Sequence, residues 1–307
     1  MTSDVLHRPE NVPVRRERGP ARGPRRWPLR WVAVLLTGCG LIGLVLAVLV
    51  NTRNPIFVPT LLLLGAAVLP ATVTTLVTEL GPRPGLSLSR LAVAAVLGGV
   101  VGGVLAGWLE FDTARALGSL PYLMIGLIEE SAKLAVALLL FVWLRPRPRA
   151  ADGLVIGVAV GSGFAAMETM GYAFVALIQS HGALLPVDHL LMARALVGLG
   201  GHAAWTGLAC AAWFARYGAR RPRLADLRFL AVFAAVVCLH AQWDASAGGI
   251  GYRLLGAAGV TLLAATTAWL HYRERATGRV PLGHPHVGAA EPLAPSTTGA
   301  PPRTRRP

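Results

Sequence analysis

Eight long apolar runs constrain the fold of this chain more than any other feature of its sequence. A helix needs about 20 mostly apolar residues to cross a bilayer, and eight segments reach or approach that length: 31–50, 56–79, 91–109, 120–143, 153–178, 194–215, 228–248 and 250–271. Only 14% of the residues are charged, against about 25% in soluble domains. The sequence therefore predicts an all-α, polytopic membrane protein with about eight transmembrane helices, and it excludes a soluble enzyme, a coiled coil and a disordered chain.

The arginines indicate how these spans are oriented. Of the 29 basic residues, 28 are Arg, and 24 of them lie in the head, in every second connection or in the tail. The other connections contain only four. Because cytoplasmic loops are enriched in Lys and Arg, we expect both termini to be cytoplasmic. The net charge of +14 then reflects orientation in a lipid bilayer, and no nucleic-acid partner is expected.

Composition divides the chain into three parts. Residues 1–30 form a basic cytoplasmic head and residues 273–307 form a Pro-rich cytoplasmic tail, and both are predicted to be disordered. Residues 31–272 form the membrane domain. The three cysteines lie within apolar runs, and their spacing matches neither a disulfide framework nor a zinc motif.

Ionisable residues at membrane depth are costly and usually functional, and here they cluster on four predicted spans. Counted from the predicted outer ends at about 1.5 Å per residue, two carboxylates lie about 15 Å deep and two imidazoles about 12 Å deep. We therefore expect one shared polar site in the outer half of the membrane. Its candidate residues are Glu129, Glu130, Lys133, Glu168, His202, His240 and Asp244.

Each of these residues also has a structural interpretation. Glu129 and Lys133 are four residues apart, so they share a helix face and can neutralise each other. Asp244 lies one turn from His240 and can hold the tautomer of that imidazole. His202 fits a buried core histidine as well as it fits a ligand.

Two further features are interpreted as structural. Gly99, Gly103 and Gly107 recur every four residues, as do glycines of the fifth span, and this spacing indicates tight helix packing. Glu110 lies at a predicted span end, where a solvated role is the default.

Carboxylates and imidazoles in a protected cavity fit two hydrolytic chemistries. In the first, a Glu acts as a general base on water while His residues stabilise an oxyanion. In the second, Glu and His bind a Zn²⁺-like ion and another Glu activates water; the candidate ligands are Glu130, Glu168, His202 and His240. A proton- or ion-coupled transporter that uses the same groups is the non-enzymatic alternative.

Three motifs together resemble the signature of one family. They are Glu129-Glu130-x-x-Lys133, Phe164-x-x-x-Glu168 and His240-x-x-x-Asp244, in that order on successive spans. They are similar to the motifs of the PrsW family of intramembrane proteases, over about residues 90–272. The resemblance implies proteolysis of a membrane-anchored protein, as in the cleavage of an anti-sigma factor, and a relation to the CAAX prenyl peptidases. Those relatives commonly have His where this chain has Glu168.

The sequence thus predicts an intramembrane endopeptidase in the inner membrane of a bacterium. Glu129 and Glu130 supply the general base and its neighbour, in an order that the sequence leaves open. Glu168, His202 and His240 complete the set that binds water or metal, and Asp244 orients the His240 imidazole. Cleavage is expected near the outer membrane face, with zinc or with no ion at all.

Overall fold

The computed structural model describes residues 29–81, 86–144, 149–217, 219–246 and 249–276. Within these ranges all regular structure is helical. Two 3₁₀ turns, Pro55–Phe57 and Gly198–Gly200, accompany nine α-helices: α1 (Arg30–Thr52), α2 (Val58–Leu80), α3 (Leu88–Leu117), α4 (Tyr122–Leu144), α5 (Ala150–Gln179), α6 (Leu184–Val197), α7 (His202–Phe214), α8 (Pro222–Ala245) and α9 (Ile250–Ala276).

The prediction of an all-α polytopic membrane protein is confirmed. Seven helical segments of the described chain are long and apolar enough to cross a membrane: Arg30–Thr52, Pro55–Leu80, Leu88–Leu117, Ala150–Gln179, Leu184–Phe214, Pro222–Ala245 and Ile250–Ala276. Helix α4 has 23 residues, which is also the length of a span. It is not among these seven segments because it carries three charged residues. The predicted disordered head and tail lie outside the described residues, except for residues 29–30 and 273–276, where α1 begins and α9 ends.

The sixth predicted span is wrong in its limits and in its continuity. The sequence predicts it at 194–215, whereas the crossing begins ten residues earlier, at Leu184, and is broken into α6 and α7. The break lies in a stretch with three glycines, which weaken a helix. One of them, Gly200, packs so closely on α9 that a Cβ atom would meet the backbone of Gly256. Consequently Arg194, predicted to lie in an outer loop, lies in the last turn of α6.

Helix α5 is the centre of the bundle. Its first half is buried almost without interruption from Ala151 to Ser162, and it packs against α2, α3 and α7. The predicted packing role of the glycines in this helix is confirmed, because a Cβ atom at Gly153, Gly157 or Gly161 would meet the backbone of α7. This close contact places His202, the first residue of α7, beside the middle of α5.

Candidate active site

Four helices bring the predicted polar residues together into one buried network. The closest contacts between members are 2.7 Å, and each member lies within 4.0 Å of another. The network contains Glu129, Glu130 and Lys133 of α4, Glu168 of α5, His202 of α7, and His240 and Asp244 of α8.

Lys133 contacts three other members of this network. Its side chain is fully buried, and Nζ donates to Glu130 Oε1 at 2.7 Å and to Glu129 Oε2 at 3.1 Å. It also lies 2.7 Å from His202 Nδ1. An ammonium group only donates hydrogen bonds, so Nδ1 must accept and the proton of the neutral imidazole is on Nε2. The predicted Glu129–Lys133 pair is therefore present, but as part of a larger arrangement.

The two adjacent glutamates have different surroundings. Glu130 is 1% exposed and accepts hydrogen bonds from Lys133, from His240 Nδ1 at 2.9 Å and from Thr206 Oγ1 at 3.3 Å. Glu129 instead lines an open cleft, and its Oε2 lies 3.5 Å from His240 Nε2. Glu130 is thus saturated by protein contacts, whereas the Glu129 carboxylate faces space that a ligand can enter.

Glu168 has a cation that the sequence reasoning missed. Arg194 Nη2 donates to Glu168 Oε2 at 2.7 Å, and Arg194 Nε donates to Thr169 Oγ1 at 2.8 Å. The same carboxylate oxygen lies 2.7 Å from His202 Nε2. The three glycines that follow Arg194 were the signal that a helix ends there instead of beginning.

Asp244 lies close to His240 but does not hold it by a hydrogen bond. Its Oδ2 atom is 3.6 Å from His240 Nε2, and this buried oxygen has no hydrogen-bond partner among the described residues. The imidazole is oriented from its other side, because Nδ1 donates to Glu130. In the neutral imidazole, Nε2 therefore presents a lone pair toward the carboxylates of Glu129 and Asp244.

Three side chains of the network have the donor chemistry of a metal site and lie close together. Glu129, His202 and His240 each offer a ligand atom, and these atoms lie within 4.8 Å of one another. Glu129 Oε2 is 3.5 Å from His240 Nε2 and 3.9 Å from His202 Nδ1. Zinc bonds of about 2.0–2.2 Å place tetrahedral ligand atoms about 3.3 Å apart, so these three atoms must move closer together to bind an ion. The Lys133 ammonium group must also release His202 Nδ1, which it contacts at 2.7 Å. This set contains Glu129 in place of Glu130 and Glu168, the two carboxylates predicted as ligands.

A cleft of about 400 Å³ leads to this network between α3, α4 and α5. The carboxylates of Glu129 and Glu168 line it, together with Phe164 and Tyr172. Glu110, expected to be solvated at a span end, also lines the cleft, because α3 continues to Leu117. The site is therefore a pocket with acidic walls, and the described helices leave one side of it open.

Comparison with known proteins connects this geometry to one family. Neither the curated proteins nor the solved structures contain a significant match to this chain. The sequence profile of the PrsW family, described as an intramembrane metalloprotease, matches residues 27–270, a range that includes the whole network. The chain therefore belongs to the PrsW family of intramembrane metalloproteases.

Proposed function

We propose that this chain hydrolyses a peptide bond of a membrane-anchored protein in the cleft between α3, α4 and α5, with a zinc-type ion held by Glu129, His202 and His240. The observation that carries the proposal is the convergence of three ligand-type side chains within 4.8 Å, on the wall of a cleft that two further carboxylates line. When bound, such an ion supplies Lewis acidity, which makes water nucleophilic at neutral pH and polarises a carbonyl group.

Glu168 is the general base in this proposal. It lines the cleft, and its Oε2 atom is held by Arg194 and His202. A carboxylate fixed in this way can take a proton from the attacking water and deliver it to the leaving amine. Arg194 is a positioning residue, because it acts on the reaction only through Glu168.

Glu130 and Lys133 orient the two imidazoles. Glu130 accepts from His240 Nδ1 and thereby directs Nε2 toward Glu129. Lys133 places one positive charge between Glu129 and Glu130, and it contacts His202 Nδ1 while Glu168 contacts His202 Nε2. In metalloproteins, a contact such as that of Glu130 to the remote nitrogen of a ligand His fixes its orientation and tautomer.

The position of the site supports cleavage near the outer membrane face. Glu168 lies 11 residues from the end of α5 at Gln179, which is about 16 Å along a helix. The distribution of arginines supports an extracytoplasmic location for that end. The substrate class that we propose is a single-pass protein of a bacterial inner membrane, such as an anti-sigma factor.

The experiment compares protein fragments produced by three forms of the chain. Purified protein in detergent is incubated with solubilised bacterial membranes, and new N-termini are identified by mass spectrometry. Wild type should produce fragments cut within or beside a membrane segment, and Glu168→Gln should not. Glu79→Gln is the matched control, because Glu79 accepts from the backbone N–H groups of Arg30 and Trp31 far from the site.

Two results would contradict the proposal. Identical fragments from wild type and Glu168→Gln would show that the cleavage comes from another enzyme or needs no carboxylate at this position. An absence of fragments, combined with proton or ion flux through liposomes that contain the protein, would favour the transporter alternative.

A further inference from the structure

The glycines of α3 differ in what they face. A Cβ atom at Gly98 or Gly99 would meet the backbone of α5, and Gly102 lies against Phe164. At Gly103 and Gly107, by contrast, no described atom lies within 4 Å of the position that a Cβ atom would take. The expectation that Gly103 and Gly107 serve helix packing is therefore wrong.

Gly103 and Gly107 line the cleft that leads to the proposed catalytic residues. They lie four residues apart, so they form about 6 Å of one helix face without side chains. Across the cleft from α3 are Glu129 of α4 and Glu168 of α5. The missing side chains leave the approach to these two carboxylates open.

Glu110 adds a polar group to the same wall, one turn beyond Gly107. It lines the cleft, and its Oε1 atom is buried without a hydrogen-bond partner among the described residues. A buried acceptor without a partner is unfavourable, so a ligand that donates a hydrogen bond suits this wall. A lipid acyl chain has no such donor, whereas an unwound peptide exposes main-chain N–H groups.

We propose that this wall of α3, formed by Gly103, Gly107 and Glu110, is the binding surface for an unwound stretch of the substrate's membrane segment. The inference rests on the proposed function, since it takes Glu129 and Glu168 as the groups that the scissile bond must reach. An intact helix keeps its peptide groups in internal hydrogen bonds. The bound stretch is therefore extended, with main-chain N–H groups paired to Glu110 and its side chains in the space above the two glycines.

The consequence is a size limit that residues 103 and 107 set. A leucine at either position would project into the cleft, and its Cβ atom would have no described atom within 4 Å. It should weaken peptide binding while the fold is unchanged. Helix-destabilising residues in the substrate, such as Gly and Pro, should favour binding because they expose the main chain.

The test measures binding separately from cleavage. The probe is a synthetic single-span peptide of Leu and Ala with a central Gly-Pro pair and a fluorophore at one end, added to the full-length protein in micelles. We expect Gly103→Leu and Gly107→Leu each to weaken binding at least tenfold. Gly40→Leu and Gly43→Leu are matched controls on α1, where no described atom lies within 4 Å of the Cβ position either, and they should bind as wild type does.

Glu110 variants test the hydrogen bond. Glu110→Gln retains an acceptor and should bind within about twofold of wild type, whereas Glu110→Ala should bind about fivefold more weakly. The same peptide without its Gly-Pro pair should bind about tenfold more weakly to wild type and should lose less affinity with each α3 variant. Circular dichroism melting of each variant checks the fold, and Gly107→Leu replaces Gly103→Leu if only the latter unfolds.

Unchanged peptide affinity in both folded leucine variants would refute the proposal that the wall of α3 binds the substrate. This holds whether or not the protein cleaves a substrate. The same holds if the α1 controls weaken binding as much as the α3 variants. If peptide binding depends on Gly103 and Gly107 but the protein cleaves no substrate, the wall of α3 is supported as a binding surface and the proteolytic function is refuted. The two inferences are thus separable.

Discussion

Lys133 is the residue whose loss should most destabilise the bundle. Its ammonium group is fully buried and lies 2.7 Å from Glu130 Oε1 and 3.1 Å from Glu129 Oε2. At an effective dielectric constant of about 20, unit charges at these distances attract by about 6 and about 5 kcal/mol. Desolvation of the ammonium group offsets much of this attraction, and methionine in its place has no such cost.

The net effect of Lys133→Met follows from the carboxylates that remain. Removing one member of a buried ion pair typically costs about 3–5 kcal/mol, because the other charge stays buried without compensation. We expect the free energy of unfolding to fall by that amount. The double variant Lys133→Met/Glu130→Gln removes one of the uncompensated carboxylates. Its loss should be smaller than the sum of the two single losses by about 1–3 kcal/mol.

The assay is reversible unfolding by SDS in mixed micelles, followed by tryptophan fluorescence. Trp205 is a suitable reporter, since its ring lies 4.9 Å from that of His240. Arg30→Met is the control for a surface pair, because Arg30 is 76% exposed and exposed pairs contribute at most about 1 kcal/mol. The reasoning is refuted if Lys133→Met costs less than about 1 kcal/mol, or if the two single losses add within about 0.5 kcal/mol.

Three further predictions follow from the site and its scaffold. Purified protein should bind about one equivalent of zinc, and a chelator should inactivate it reversibly. Glu129→Gln should weaken zinc binding, as measured by metal analysis of dialysed samples. Full activity of protein without any bound ion would contradict this prediction. Arg194→Lys should lower kcat about tenfold with little change in KM, because one ammonium group cannot replace the guanidinium fork on Glu168; wild-type kinetics would remove Arg194 from the mechanism. Gly161→Leu should lower the free energy of unfolding by about 1–3 kcal/mol, since its Cβ would meet the backbone of α7. Gly171→Leu on the same helix has open space and should leave stability unchanged, and equal losses in the two variants would contradict the close packing of α5 and α7.

The sequence by itself determined the fold class, because an apolar run of about 20 residues has few stable alternatives to a membrane helix. It also determined which ionisable residues belong together. A charge in a membrane segment needs compensation, so Glu129, Lys133, Glu168 and His240 had to find one another or water. Their spacing along each helix placed them at similar depth, and the structure joins them in one network.

What only the tertiary structure decided is which face of each helix meets which neighbour. The helical period separates adjacent residues by about 100°, but it does not show that Glu129 faces the cleft while Glu130 faces Thr206 and His240. The sequence also does not show that Arg194 meets Glu168, because that contact depends on how α6 packs against α5.

The glycines of α3 are a second case in which the sequence does not show what a residue faces. Gly99 and Gly103 are equivalent in sequence, yet one packs on α5 and the other borders open space. Four residues turn a helix by slightly more than one full turn, and α3 contacts α5 along only part of its length. Whether a glycine packs or opens a cleft is therefore set by where the neighbouring helix diverges, which is a property of the assembled bundle and not of the local sequence.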